Sequence, residues 1–225
     1  MYWILFISIA LASYLVQASL QSKYKKFSKI PIDGGLTGKD VAERMLHENG
    51  ISDVTVTCVK GRLTDYYNPA NKTVNLSEGV YGTCSVAAAA VAAHECGHAV
   101  QNSVNYVPLK LRSALVPVVS FASNAVTWIL LGGIILINIF PGVMLIGIVL
   151  FALTTLFSFV TLPVEINASK RALVWLNQTG ITNYSNHIQA QSALKSAAYT
   201  YVIAALSSLA TLIFYITIFA GGRRG

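Results

Sequence analysis

Charge is scarce in this chain. Asp, Glu, Lys and Arg make up only 11% of its 225 residues, against about 25% in an average soluble domain. That excludes a disordered chain kept in solution by charge and a nucleic-acid binder working through a basic surface. Acids are rarer than bases, nine against sixteen, which leaves a formal net charge of +7. Cysteine is rarer still. Cys58, Cys84 and Cys96 form neither a CxxC pair nor an even set, which argues against a disulfide framework and for a reducing, cytosol-facing location. No internal repeat is present, and the one biased tract is a short alanine-rich run at 85–93.

What the chain has in abundance is apolar sequence, 54% of all residues. It gathers into four segments, 1–20, about 114–139, about 143–162 and about 197–220, with Phe140-Pro141-Gly142 as a turn between the second and third. Each is about 20 residues or more, enough to cross ~30 Å of hydrocarbon at 1.5 Å per residue. A soluble domain of this size could not bury four such segments. The first is followed, not preceded, by Lys23, Lys25, Lys26 and Lys29. That is the reverse of a signal peptide, so it reads as an uncleaved anchor with its amino terminus outside.

The sequence therefore predicts a mainly α integral membrane protein with four transmembrane helices and a small α+β domain. Its parts are an anchor (1–20), a cytosol-facing α+β region (21–113), a transmembrane hairpin (114–162), a loop or helix (163–196) and a last transmembrane helix (197–220). Lys and Arg give the orientation. Region 21–113 holds eleven, region 163–196 holds Lys170, Arg171 and Lys195, and the tail holds Arg223 and Arg224. All sixteen lie outside the apolar runs, and the two loops share a side because two crossings separate them. Basic loops lie in the cytosol, which predicts a multi-pass membrane protein whose two loops face the cytoplasm.

Region 21–113 carries folding signals of its own. Thr37-Gly38-Lys39-Asp40 has the form of a capping box, Val41, Met45 and Leu46 give a helical stripe, and Gly50 closes it. Val54, Val56 and Cys58 alternate with Thr55, Thr57 and Val59 as in a strand. Asn68-Pro69-Ala70-Asn71 marks a turn, after which 72–76 reads as a second strand, so a helix and a small hairpin are expected before the alanine run.

The chemistry stands at the end of that run. His94-Glu95-Cys96-Gly97-His98 is an H-E-x-x-H motif. On a helix, positions i and i+4 share a face, so both imidazoles reach one cation, and the Glu beside the first stands next to the water. From the chain's own four His and five Glu, the pattern would arise by chance with a probability of about 0.002, so it is treated as signal. Cys96 lies two residues from His94, on another face, and reads as a packing residue. A third ligand must come from elsewhere. Glu165 is the one acid downstream of Glu95 and returns to the same side as the two histidines. Pro163, lacking an N–H, is expected to bend the segment toward the metal. Ser169, four residues on, is placed to orient a ligand histidine.

Taken with Gly61–Tyr67, Val74–Ser77 and Pro108–Ser113, the stretches 85–101 and 162–172 resemble the YugP-like family of bacterial membrane zinc metallopeptidases over nearly the whole chain. That family is similar to the wider gluzincin group, including membrane proteases with a downstream E-x-x-A motif. The resemblance implies a gluzincin-like domain, Zn²⁺ as cofactor, His94, His98 and Glu165 as its ligands and Glu95 as acid/base. An Asp often follows the ligand Glu by two in the family; here it is Asn167, which removes an ionic role from that position.

The implied activity is zinc-dependent endopeptidase cleavage of peptide or protein substrates, membrane proteins among them, with the lipid bilayer as the other partner and no nucleic acid. Strand 72–76 is a candidate to hold an extended peptide by β-addition, or else a plain hairpin strand. Arg171, His187, Tyr66 and Tyr67 are candidate oxyanion donors. Two other classes compete. A non-catalytic metal-binding membrane protein would not need Glu95. An intramembrane-type metalloprotease would need the motif inside a spanning segment, and the stretch before His94 is short and alanine-rich.

Overall fold

The computed structural model describes residues 2–222; Met1 of the first apolar segment and the tail pair Arg223 and Arg224 lie outside it. In chain order the elements are α1 (Tyr2–Phe27), α2 (Gly38–Glu48), β1 (Thr55–Val59), β2 (Tyr66–Asn68), β3 (Thr73–Ser77), α3 (Glu78–Tyr81), α4 (Val86–Ser103), α5 (Val107–Ile135), α6 (Pro141–Gln178) and α7 (Tyr184–Gly222). Helices α1, α5, α6 and α7 are long and apolar enough to cross a membrane. The chain divides into two compact units.

One unit is Lys110–Leu162 with α1 up to Tyr14 and α7 from Tyr201 onward. Within it α5 and α6 approach closely because Gly133 has no side chain: a Cβ there would lie 2.7 Å from the Met144 Cα. Val126, Leu130, Met144 and Ile148 form its small core. A hydroxyl pair, Thr155 and Ser208 at 2.7 Å, joins α6 to α7. Trp3 is 80% exposed and Trp128 75%. A soluble protein does not carry so many large apolar groups outward, whereas a lipid-facing surface does.

The other unit is Leu15–Leu109 with Pro163–Thr200. Helix α2 begins with a reciprocal capping box: the Thr37 N–H donates to Asp40 Oδ2 at 2.8 Å, and the Asp40 N–H donates to Thr37 Oγ1 at 3.3 Å. Gly50 takes a left-handed φ of 70° just past its end, a conformation glycine adopts without steric cost. Val41, Ala42, Met45 and Leu46 on α2 pack into the same core as the alanines of α4. A helix apolar on all sides is a buried one, and α4 is buried along nearly its whole length.

The sheet corrects the expected hairpin. The two strands read from the sequence, β1 and β3, pair in parallel, from Thr55 opposite Thr73 to Val59 opposite Ser77. The antiparallel hairpin is β2 with β3, and the order is β1-β3-β2. A parallel pair needs a crossover, which residues 60–72 supply, and β2 forms within that connection. Helix α6 runs on through Pro163, which lies inside it, to Gln178.

Candidate metal centre

Helix α4 presents His94 and His98 one turn apart, their rings edge to face with centroids 4.9 Å apart. Helix α6 brings Glu165 to them. Glu165 Oε2 lies 3.3 Å from His94 Nε2 and 3.6 Å from His98 Nε2. One donor atom from each residue falls within 4.8 Å of the other two, a grouping able to hold a metal ion. The crossing depends on Gly97: a Cβ there would meet the Ala168 carbonyl oxygen at 2.7 Å and its Cα at 3.1 Å. Larger residues at 97 would push α6, and Glu165 with it, off α4.

Each imidazole has its second nitrogen engaged. Ser169 Oγ lies 3.1 Å from His94 Nδ1, and Gln101 Oε1 lies 3.0 Å from His98 Nδ1. Both Nε2 atoms are thereby turned toward Glu165. The His94 side chain keeps 13% exposure, against 9% for His98 and 4% for Glu165, so the cluster opens past His94. Burial pushes His98 toward the neutral form, but its contact with Glu165 and the charge of Glu95 outweigh this and raise its pKa.

Glu95 is buried on the same helix, and its Oε2 accepts a 3.1 Å hydrogen bond from the backbone N–H of Tyr67 in β2. Burial raises the Glu95 pKa, opposed by His94 and His98. Cys96 is fully buried, its Sγ 3.5 Å from the Ala42 carbonyl of α2. Burial pushes that thiol well up, so the group stays protonated and inert.

The remaining sequence candidates separate. The Tyr67 phenol accepts from Asn102 Nδ2 at 3.2 Å, beside α4. Tyr66 is 47% exposed on β2. Arg171 Nε donates to Asn167 Oδ1 at 2.8 Å, and His187 Nδ1 lies 3.1 Å from Thr182 Oγ1 at the start of α7. Neither Arg171 nor His187 is among the three clustered residues. Strand β3, considered for β-addition, is the central strand, flanked on both sides. Its ladder positions are already occupied, and the edge beside α4 belongs to β2. Gln101 was missed as a site residue; its spacing of three from His98 was the available signal, since i and i+3 share a helix face.

The model of a family described as "Putative neutral zinc metallopeptidase" matches residues 2–220. The chain is 40% identical over 223 residues to "Putative membrane protease YugP" of Bacillus subtilis (strain 168), covering 97% of this chain and 98% of that protein. No solved structure matches.

Proposed function

The chain belongs to the "Putative neutral zinc metallopeptidase" family, and from that membership we propose that it is a membrane-bound, gluzincin-like zinc metalloendopeptidase. His94, His98 and Glu165 hold the ion, and Glu95 is the general acid/base. The observation that carries this reading is the convergence of two Nε2 atoms and one carboxylate oxygen, each imidazole held from behind through its Nδ1.

The donor set fits zinc. Two ligands bound at about 2.0 Å in a tetrahedron stand ~3.3 Å apart, and the nitrogen-to-oxygen distances here are 3.3 and 3.6 Å. Two imidazoles and one carboxylate match the three protein ligands of a catalytic zinc site, which keeps a fourth position open. Bound there, zinc supplies the positive charge that acidifies a water molecule and polarises a scissile carbonyl.

The protein's own residues do the rest. Glu95 takes the proton of the attacking water and returns it to the leaving amine. Burial favours its protonated form, which makes it a stronger base when ionised. The Tyr67 N–H holds Oε2 and fixes where the carboxylate points. The outward N–H of edge strand β2 is thus taken by Glu95, so an extended peptide or protein substrate would meet the cluster on its more open side, past His94. The Lys and Arg count of the two loops supports a site on the cytoplasmic side of a bacterial inner membrane. Helix α4 is not one of the four candidate spans, which disfavours an intramembrane-type site.

The deciding experiment is Glu95→Gln in the purified full-length protein. It is expected to retain zinc and lose cleavage of a quenched-fluorescence peptide. Retained cleavage would reject the assignment, and a wild-type chain that binds zinc yet cleaves nothing would favour the non-catalytic metal-binding reading.

A further inference from the structure

Gln101 is fully buried, yet it is polar at both ends of its amide. Its Oε1 faces His98 Nδ1 at 3.0 Å. Its Nε2 donates to the Val164 carbonyl at 2.8 Å and to Asn167 Oδ1 at 3.0 Å. Val164 and Asn167 bracket Glu165 within one turn of α6. We infer that Gln101 is a positioning residue that locks the His98 ring and the Glu165 turn to one another, with Asn167 and Arg171 as its backstop. The inference rests on the reading of His94, His98 and Glu165 as a metal centre.

Chemistry fixes the direction of every bond. Gln101 Nε2 meets two acceptors, so the amide cannot be turned round and its oxygen must face the histidine. An amide oxygen only accepts, so His98 Nδ1 carries the ring proton. In the neutral, metal-binding ring His98 Nε2 is then the lone-pair nitrogen, and it is the one 3.6 Å from Glu165 Oε2. Asn167 Oδ1 receives a second donor, Arg171 Nε at 2.8 Å. That leaves its own amide one orientation and anchors the network on α6. Ligand histidines usually give this proton to a carboxylate, a backbone carbonyl or water. Here a neutral amide accepts it, and the same side chain reaches across to the element carrying the third ligand. The network also gives Arg171 an employment other than oxyanion stabilisation.

The test uses full-length protein in detergent, with zinc affinity from chelator competition and the visible spectrum of the cobalt-substituted form. Gln101→Met keeps the length and apolar bulk of the side chain and removes all three bonds. The zinc dissociation constant is expected to rise roughly 10–100-fold, with a changed cobalt spectrum in a protein that still melts cooperatively without metal. Parent-like affinity and spectrum would overturn the proposal.

Should Gln101→Met fail to fold, Asn167→Leu decides. It leaves Gln101 on His98 and on the Val164 carbonyl and removes the Asn167 arm of the tether, and affinity is expected to fall roughly 10-fold; parent-like binding overturns the proposal. Asn167→Asp, which keeps an acceptor for both donors, should recover the parent's spectrum. Wild-type protein that takes up no zinc would instead overturn the metal reading itself. Zinc in the parent, loss in His94→Ala and no change in Gln101→Met would reject only the role of Gln101.

Discussion

Gly97 and Ala168 meet with no room between them for a methyl group: a Cβ on Gly97 would sit 2.7 Å from the Ala168 carbonyl oxygen. The obstacle is backbone on both helices, so neither a rotamer change nor a flexible side chain can relieve it. Gly97→Ala is expected to destabilise the fold by about 1–3 kcal/mol, as overpacking does, and to weaken zinc binding by displacing Glu165. Thermal melts with and without zinc check both effects. A variant with parent-like melting and zinc content would show that α4 and α6 do not need this contact.

Ser169 contacts the ring nitrogen of His94 that faces away from Glu165. Ser169→Ala removes that contact with little change in packing. Zinc affinity should drop roughly 10-fold or more while the metal-free protein melts as before. Chelator competition measures the first and differential scanning the second.

Metal removal should be visible in stability. A ligand bound only by the folded state contributes about 2.7 kcal/mol at a free concentration one hundred times its Kd. Chelation of the wild-type protein should therefore lower its melting temperature, and His94→Ala and Glu165→Ala should show little or no response. An equal response in all three would place the stabilising ion elsewhere.

Cys58 offers a direct test of sidedness. It is exposed on β1, Cys84 is half-buried and Cys96 is buried. A membrane-impermeant maleimide should label Cys58 in inverted membrane vesicles and leave it unlabelled in intact cells. Labelling in intact cells would reverse the cytoplasmic assignment.

What the sequence made legible was local. The box at Thr37 and Asp40 needs only four residues to be recognised, and it forms as read. The apolar segments announce themselves by length, and four helices carry them. The spacing of His94 and His98 places two rings on one helical face without any knowledge of the rest of the chain. Strand order was not legible, because pairing is non-local. Thr55–Val59 and Thr73–Ser77 look like hairpin partners until β2 takes the antiparallel position beside β3. Tyr66–Asn68 is too short to show an alternation. Gln101 stayed hidden for a related reason: its spacing from His98 is plain, but the two acceptors on α6 that fix its amide lie 63 and 66 positions away.

The donor that reaches Glu95 from position 67 belongs to the main chain, so every amino acid but one supplies it. Genetic drift there can exchange an aromatic for an aliphatic residue and leave the carboxylate's neighbour untouched, and a survey for invariant positions would pass over it. Proline alone deletes the donor. Because that N–H faces Glu95 and not the adjoining strand, the ladder survives the exchange, as it does for prolines at sheet borders.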